Sequence, residues 1–181
     1  MSLLPDLFTD WFENQGWQPH AHQLDLLARA RTPATVLIAP TGGGKTLAGF
    51  LPSLVELAAD PKPGMHTLYV SPLKALAADI KRNLRRPVEE MGLDVRIEDR
   101  TGDTKQSARL KQRKDPPHIL LTTPESLSLL LSYEDAPRIF AGLQRVVVDE
   151  IHALAEGKRG DQLMLCLARL QRLLPQLRRV G

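Results

Sequence analysis

The segment Ala39-Pro-Thr41-Gly42-Gly43-Gly44-Lys45-Thr46 follows the apolar run Thr35-Val-Leu-Ile38, and a second apolar run, Val146-Val-Val148, ends in Asp149 and Glu150 with His152 shortly after. A tight glycine turn between a strand and a helix lines up backbone N–H groups and the positive helix end against phosphate oxygens. In such a cradle, formed by Thr41, Gly42, Gly43 and Gly44, Lys45 supplies a mobile full charge and Thr46 a hydroxyl for Mg²⁺. Asp149, at the carboxyl end of a buried strand, can hold the Mg²⁺ shell. Glu150 beside it can orient and deprotonate the water that attacks a terminal phosphate. The chemistry these residues describe is the handling of ATP with Mg²⁺.

The general phosphate-loop pattern opens with Gly, and this chain has Ala39 there, a departure of one methyl group. The turn keeps Gly42, Gly43 and Gly44, which tolerate positive φ and let the backbone approach an anion. A glycine run can also be an ordinary loop with Lys45 as its solvated flank. The acid pair separates the two readings, because an apolar strand ending in adjacent carboxylates buries charge that needs a cation or donors.

The remaining composition narrows the setting. A chain of 181 residues, 43% hydrophobic, suits one compact domain with a single sizeable core. No stretch has the apolar length of a membrane span, and Met1-Ser-Leu-Leu-Pro-Asp6 lacks the basic start and apolar run of a secretion signal, so the cytoplasm is expected. The single cysteine, Cys166, sits among leucines and reads as a core residue of a reducing compartment. The five histidines lack metal-ligand spacing, so no structural zinc is expected. A net charge of +3 is too small to establish a nucleic-acid partner. The basic clusters Lys81-Arg82-Asn-Leu-Arg85-Arg86 and Arg109-Leu-Lys111-Gln-Arg113-Lys114 read as solvated helix faces.

The elements that must position the chemistry follow from periodicity. After an amphipathic turn carrying Leu7, Phe8, Trp11 and Phe12, Gly16 stops one helix and Pro19 opens another that runs through Gln23 to Ala30. Short β-rich runs recur at 35–39, 67–71, 95–98, 118–122 and 145–149. Between and after them, 45–59, 73–91, 104–114, 124–131 and 161–174 show helical spacing, with Pro52 expected to kink the first. This alternation predicts an α/β fold with a mainly parallel sheet, flanked by helices on both faces and binding ligands at the carboxyl ends of its strands. Residues 1–34 read as a lead-in and 35–181 as the core domain.

The order of these motifs resembles the first motor domain of superfamily 2 helicases of the DEAD/DEAH-box type, over nearly the whole chain. Gln23 is similar to that family's adenine-reading glutamine, 39–46 to motif I, and Ser71-Pro-Leu-Lys74-Ala-Leu to motif Ia. Thr101-Gly-Asp-Thr104 and Thr122-Thr-Pro-Glu125-Ser-Leu resemble the next nucleic-acid motifs, and Asp149-Glu-Ile-His152 resembles motif II. The wording of the motifs is most similar to Lhr-type, ligase-associated DEXH-box helicases.

The resemblance implies a RecA-like phosphate-loop NTPase that binds ATP through Gln23, 41–46 and Asp149, with Mg²⁺ on Thr46 and Asp149 and with Lys45, Asp149 and Glu150 catalytic. It implies that Ser71, Lys74, Thr101, Gly102, Thr123 and Pro124 follow the phosphates of single-stranded or partly duplex DNA, and that His152 couples the two sites. It further implies 3′-to-5′ movement, DNA repair, and residence in the bacterial cytoplasm or nucleoid. In the family, a strand like the one near Arg178 leads to a Ser-Ala-Thr motif III. The sequence stops before it, so it is expected to be the N-terminal piece of a longer motor whose partner is a second motor domain. Two other readings stay open: a nucleotide-gated interaction module without turnover, and an RNA target, since phosphate contacts alone do not distinguish the sugar. Trp17 either covers the adenine ring or anchors the lead-in to the core, with the anchor favoured.

Overall fold

A computed structural model describes residues 3–39, 42–154 and 157–181. In chain order the elements are α1 (Asp6–Asn14), α2 (Ala21–Ala28), β1 (Ala34–Thr35), α3 (Lys45–Ala59), β2 (Thr67–Val70), α4 (Lys74–Glu90), β3 (Ile97–Arg100) and α5 (Gln106–Lys114). They continue with β4 (Ile119–Thr122), α6 (Pro124–Leu131), α7 (Ala136–Ile139), β5 (Arg145–Val148), α8 (Ile151–Leu154), α9 (Lys158–Leu173) and β6 (Arg178–Val180). The strands form one six-stranded sheet in the order β1-β6-β5-β2-β4-β3, every pairing parallel. The expected α/β architecture is therefore present.

Side chains alternate across the sheet, so each face carries its own core. Tyr69, Leu121 and Val147 join Phe8, Trp11, Phe12, Phe50, Leu54 and Leu84 on the face covered by α1 to α4. Leu68, Val70, Leu120, Val146 and Val148 join Leu127, Leu130, Phe140, Cys166 and Leu170 beneath α6, α7 and α9. Cys166 is a buried free thiol in this second core, and burial pushes its pKa up. No helix among the described residues is long and apolar enough to cross a membrane.

Several boundaries differ from those read off the sequence. The first strand pairs only over Ala34–Thr35, opposite Arg179 and Val180, instead of running to Ala39. Leu37 N–H still reaches the Gly181 carbonyl at 2.7 Å, but Ile38 is 91% exposed. The third strand is shifted from 95–98 to Ile97–Arg100, because its ladder with β4 begins at Ile97 opposite Ile119. Helix α5 starts at Gln106 because the Thr104 hydroxyl accepts from Thr101 N–H at 2.9 Å and closes a turn there. Helix α3 stays continuous through the buried Pro52. Helical spacing placed the start of the last helix at 161. Residues 155–156 lie outside the described set, but α9 already begins at Lys158, and Arg159 Nη2 is bonded to the Pro72 carbonyl at 2.6 Å.

At the amino ends of the strands lies an ion cluster that periodicity does not announce. Arg145 is 1% exposed; its two Nη atoms donate to the Glu56 carboxylate at 3.0 Å, and Nη1 also donates to Ser53 Oγ at 2.8 Å. Arg178 joins the same carboxylate at 2.7 Å, and both arginines donate to the Ala30 carbonyl at 3.0 Å. A guanidinium of this kind is stable in the interior only because its donors are matched. Burial alone would raise the Glu56 pKa, but hydrogen bonds from His66, Arg145 and Arg178 outweigh it and hold the carboxyl far below the usual range.

Candidate functional site

The phosphate-loop candidates occupy the turn into α3. Gly42 and Gly44 have φ of 81° and 71°, the left-handed region a side chain disfavours, and Gly44 is the N-cap of α3. Lys45 and Thr46 then open the helix, where its first N–H groups have no intrahelical acceptor. Thr41 lies outside the described residues. Gln23, 2% exposed, accepts from His20 N–H at 2.8 Å and donates through Nε2 to the Gly44 carbonyl at 3.3 Å. The glutamine thus braces the glycine turn from behind.

The acidic motif meets this turn from β5. Lys45, Thr46, Tyr69, Asp149, Glu150 and His152 line one cleft, so the two sequence motifs share a site. Both Asp149 oxygens are held: Oδ2 accepts from the Tyr69 hydroxyl and Oδ1 from Glu150 N–H at 3.0 Å. Tyr69 is fixed in turn by stacking on Phe50, ring centroids 5.0 Å apart. Burial, then the bond to Asp149 and the charges of Asp149 and Glu150, push the Tyr69 pKa well above its ordinary value, so the phenol remains a donor. Sequence reading missed Tyr69. Strand parity was the signal available, since Tyr69 pairs with Val147 and shares its face.

Glu150 bends the chain out of β5 with φ of 49°, and its carboxylate lies 3.1 Å from His152 Nε2, on an otherwise exposed imidazole. The donor set for a hard cation, the Thr46 hydroxyl and the Asp149 carboxylate, is all oxygen and leaves room for phosphate oxygens and water, as Mg²⁺ prefers. A second cleft, about 740 Å³, opens on the other side of the glycine turn between Trp17, Gln23, Gly44, Thr46 and Arg86. Trp17 is half exposed, with its edge on Trp11 at 5.9 Å, so it anchors the lead-in and also walls this cleft.

The nucleic-acid candidates gather at the carboxyl ends of β2, β4 and β3. Lys74 and Gly102 are exposed, and Lys74 Nζ reaches Asp103 at 3.0 Å. Ser71, Thr101, Thr123 and Pro124 are buried and build the frame: the Ser71 hydroxyl donates to Leu73 O, Thr101 Oγ1 accepts from Asp103 N–H, and Thr123 caps α6 ahead of Pro124. Arg159 bonds Glu125 at 2.5 Å and ties α9 to this edge. Of the two basic clusters expected to be solvated helix faces, the first pairs within α4, Arg82 with Asp79 and Arg86 with Glu90. In the second, Arg109 and Arg113 are only partly exposed, turned onto the Thr101–Gly102 carbonyls and Asp135 by tertiary packing that periodicity does not show.

The family model described as DEAD/DEAH box helicase matches residues 20–180. The ATP-dependent helicase Lhr-Core protein 2 of Thermococcus barophilus is 41% identical over an alignment covering 99% of this chain and 23% of that protein. The Lhr helicase/uracil glycosylase of Escherichia coli is also 41% identical, over 96% of this chain and 13% of that protein. The structure of Mycobacterium smegmatis helicase Lhr bound to ssDNA and AMP-PNP superposes with a TM-score of 0.87 at 42% identity, covering 98% of this chain and 24% of the other. The chain thus spans a quarter or less of the length of these relatives.

Proposed function

The chain belongs to the DEAD/DEAH box helicase family, and from that premise we propose that it is the ATP-binding and nucleic-acid-binding motor domain of an ATP-dependent helicase acting on DNA. Movement 3′ to 5′ and a part in repair belong to the same proposal, by resemblance to Lhr-type proteins. The observation that carries it is the convergence of Lys45, Thr46, Asp149, Glu150 and His152 on one cleft at the carboxyl edge of the sheet.

In the proposed mechanism the glycine turn and the first turn of α3 offer N–H groups to the phosphates, and Lys45 adds its ammonium. Thr46 and Asp149 would hold Mg²⁺, which neutralises charge on the phosphate oxygens when bound. Tyr69 and the Glu150 N–H keep the Asp149 carboxylate in one orientation. Glu150 orients the attacking water and takes its proton, with His152 restraining the carboxylate at 3.1 Å. Adenine is assigned to the cleft bounded by Trp17, Gln23 and Gly44. Lys74 and Gly102 meet the DNA backbone, on the frame set by Ser71, Thr101, Thr123 and Pro124. A second motor domain elsewhere in the whole protein would complete the nucleotide site with arginine, worth about three to five orders of magnitude in rate.

Titration calorimetry of Mg-ATP into the 181-residue chain and its Lys45→Ala variant tests the reading. Binding should be lost in the variant, and equal affinities would remove the site. Anisotropy with matched DNA and RNA single strands tests the choice of substrate: preference for RNA would overturn it.

A further inference from the structure

The groove between α5 and the segment joining α6 to α7 carries positive charge that the motif residues do not explain. Arg100 is 1% exposed, yet no carboxylate pairs with it among the described residues. Its Nη1 donates to the Arg109 carbonyl at 3.1 Å and its Nη2 to the Tyr133 hydroxyl at 3.4 Å. Arg109 Nη2 donates to the carbonyls of Thr101 and Gly102 at 3.0 and 2.6 Å. Arg113 lies 4.0 Å from the centroid of the Tyr133 ring and bonds Asp135 at 2.8 Å, while Arg138 bonds the same carboxylate at 2.9 Å. Among the described residues, Asp135 is the one carboxylate paired with any of these four guanidiniums. The buried Nε atoms of Arg109 and Arg113 meet no acceptor among the described residues. Burial lowers the Arg100 pKa, and the charges of Arg109 and Arg113 add to that effect.

Of these residues Arg109, Arg113 and Tyr133 line a cleft of about 370 Å³, together with Thr104, Gln106 and Leu110. Its position matters as much as its charge. β3 is the last strand of the sheet, so a nucleic-acid strand that follows the loops after β2, β4 and β3 meets this cleft next. Arg109 holds the Thr101–Gly102 loop by its backbone and opens the cleft directly beside it. From Gln106 at the mouth to Arg113 is about 10 Å along α5 at the helical rise.

We propose that this cleft is a phosphate subsite for the nucleic-acid strand where it leaves the edge of the sheet, with Arg109 and Arg113 as donors and Tyr133 as its wall. The proposal rests on the nucleic-acid reading given above. Guanidinium groups suit phosphate because their donors are planar and permanently charged. Nothing in the cleft reads a base edge, so binding there adds affinity and salt dependence without adding sequence preference.

The test is fluorescence anisotropy of single-stranded oligonucleotides over a salt series, with the full chain and four variants. Gln106→Glu places an anion at the mouth without changing size, on an exposed residue. Arg113→Gln removes a donor; Lys111→Gln removes the same charge from an exposed position on α5 outside the cleft; Lys74→Ala removes a motif contact. Arg113→Gln and Gln106→Glu should each weaken binding about three- to tenfold at low salt, and Arg113→Gln should flatten the log–log salt slope by about 0.7, the loss of one single-strand phosphate contact. Lys111→Gln should change affinity less than about twofold. If Gln106→Glu binds as the parent does, or if Arg113→Gln behaves like Lys111→Gln, the subsite is refuted while a Lys74→Ala effect leaves the motor reading standing. Loss of oligonucleotide binding in none of the variants, Lys74→Ala included, would sink both. Displacement of an acidic peptide such as polyglutamate, with DNA binding untouched, would also overturn the proposal.

Discussion

Gln23 Nε2 donates to the Gly44 carbonyl at 3.3 Å, and a Cβ placed on Gly44 would stand 2.7 Å from that same nitrogen. The lead-in helix and the glycine turn are therefore built against each other, and a side chain at Gly44 would displace the Gln23 amide.

Gly44→Ala should combine a left-handed backbone penalty of about 1–2 kcal/mol with the displacement of Gln23. Nucleotide affinity should fall by more than the stability loss accounts for. Thermal denaturation and fluorescent-nucleotide titration, run on the same variant, check the comparison; a stability loss with unchanged affinity would contradict it.

Tyr69→Phe keeps the ring stacked on Phe50 and removes only the donor to Asp149. Outer partners of metal-binding carboxylates typically matter by about 10–100-fold in metal affinity. The variant should need more Mg²⁺ for half-maximal nucleotide binding, and Mn²⁺ titration followed by electron paramagnetic resonance should show the same direction. An unchanged metal requirement would reduce Tyr69 to a core residue.

Glu56 links folding to pH. Its folded pKa lies far below the ordinary carboxylate value, because the bonds from His66, Arg145 and Arg178 outweigh the opposing effect of burial. Its contribution is fully present above the unfolded value of about 4.3 and is lost as pH falls from there toward the depressed folded value. Urea denaturation across acidic pH should show stability decreasing with acid. Glu56→Gln should lower stability by about 3–5 kcal/mol at neutral pH, since Arg145 is left buried without its carboxylate, and should flatten the acid limb.

Asp103 engages Lys74 at 3.0 Å on the surface, an exposed pair that contributes little to stability. Asp103→Asn should free the ammonium and tighten single-strand binding about two- to fivefold at low salt, the gain fading as salt screens it. Anisotropy at two ionic strengths decides the matter, and weaker binding in the variant would show that the pair positions Lys74.

Local signals carried the elements whose ends are marked by chemistry. Thr123-Pro124 is a cap followed by a first helical position, and α6 begins there; Lys45 follows the glycine turn, and α3 begins there. The convergence of Lys45, Thr46, Asp149 and Glu150 was also legible, because parallel strands bring their carboxyl ends to one edge. What could not be read locally were partnerships set by strand register. Tyr69 and Asp149 are separated by 80 residues, and Glu56 and Arg145 by 89. A lone Arg100 or Arg145 reads as surface until the sheet closes over it. That the Ser71 and Thr123 hydroxyls hold backbone turns depends on side-chain direction, and such turns are compatible with nearby N–H groups meeting phosphate.

Among the described residues, Glu150 is the one non-glycine residue with positive φ. A protein engineer selecting only for thermal tolerance would be led to replace it with Gly, which relaxes the backbone where a carboxylate is proposed to activate water. The same turn that aims the acid is thus a site where optimisation for robustness and selection for turnover pull in opposite directions.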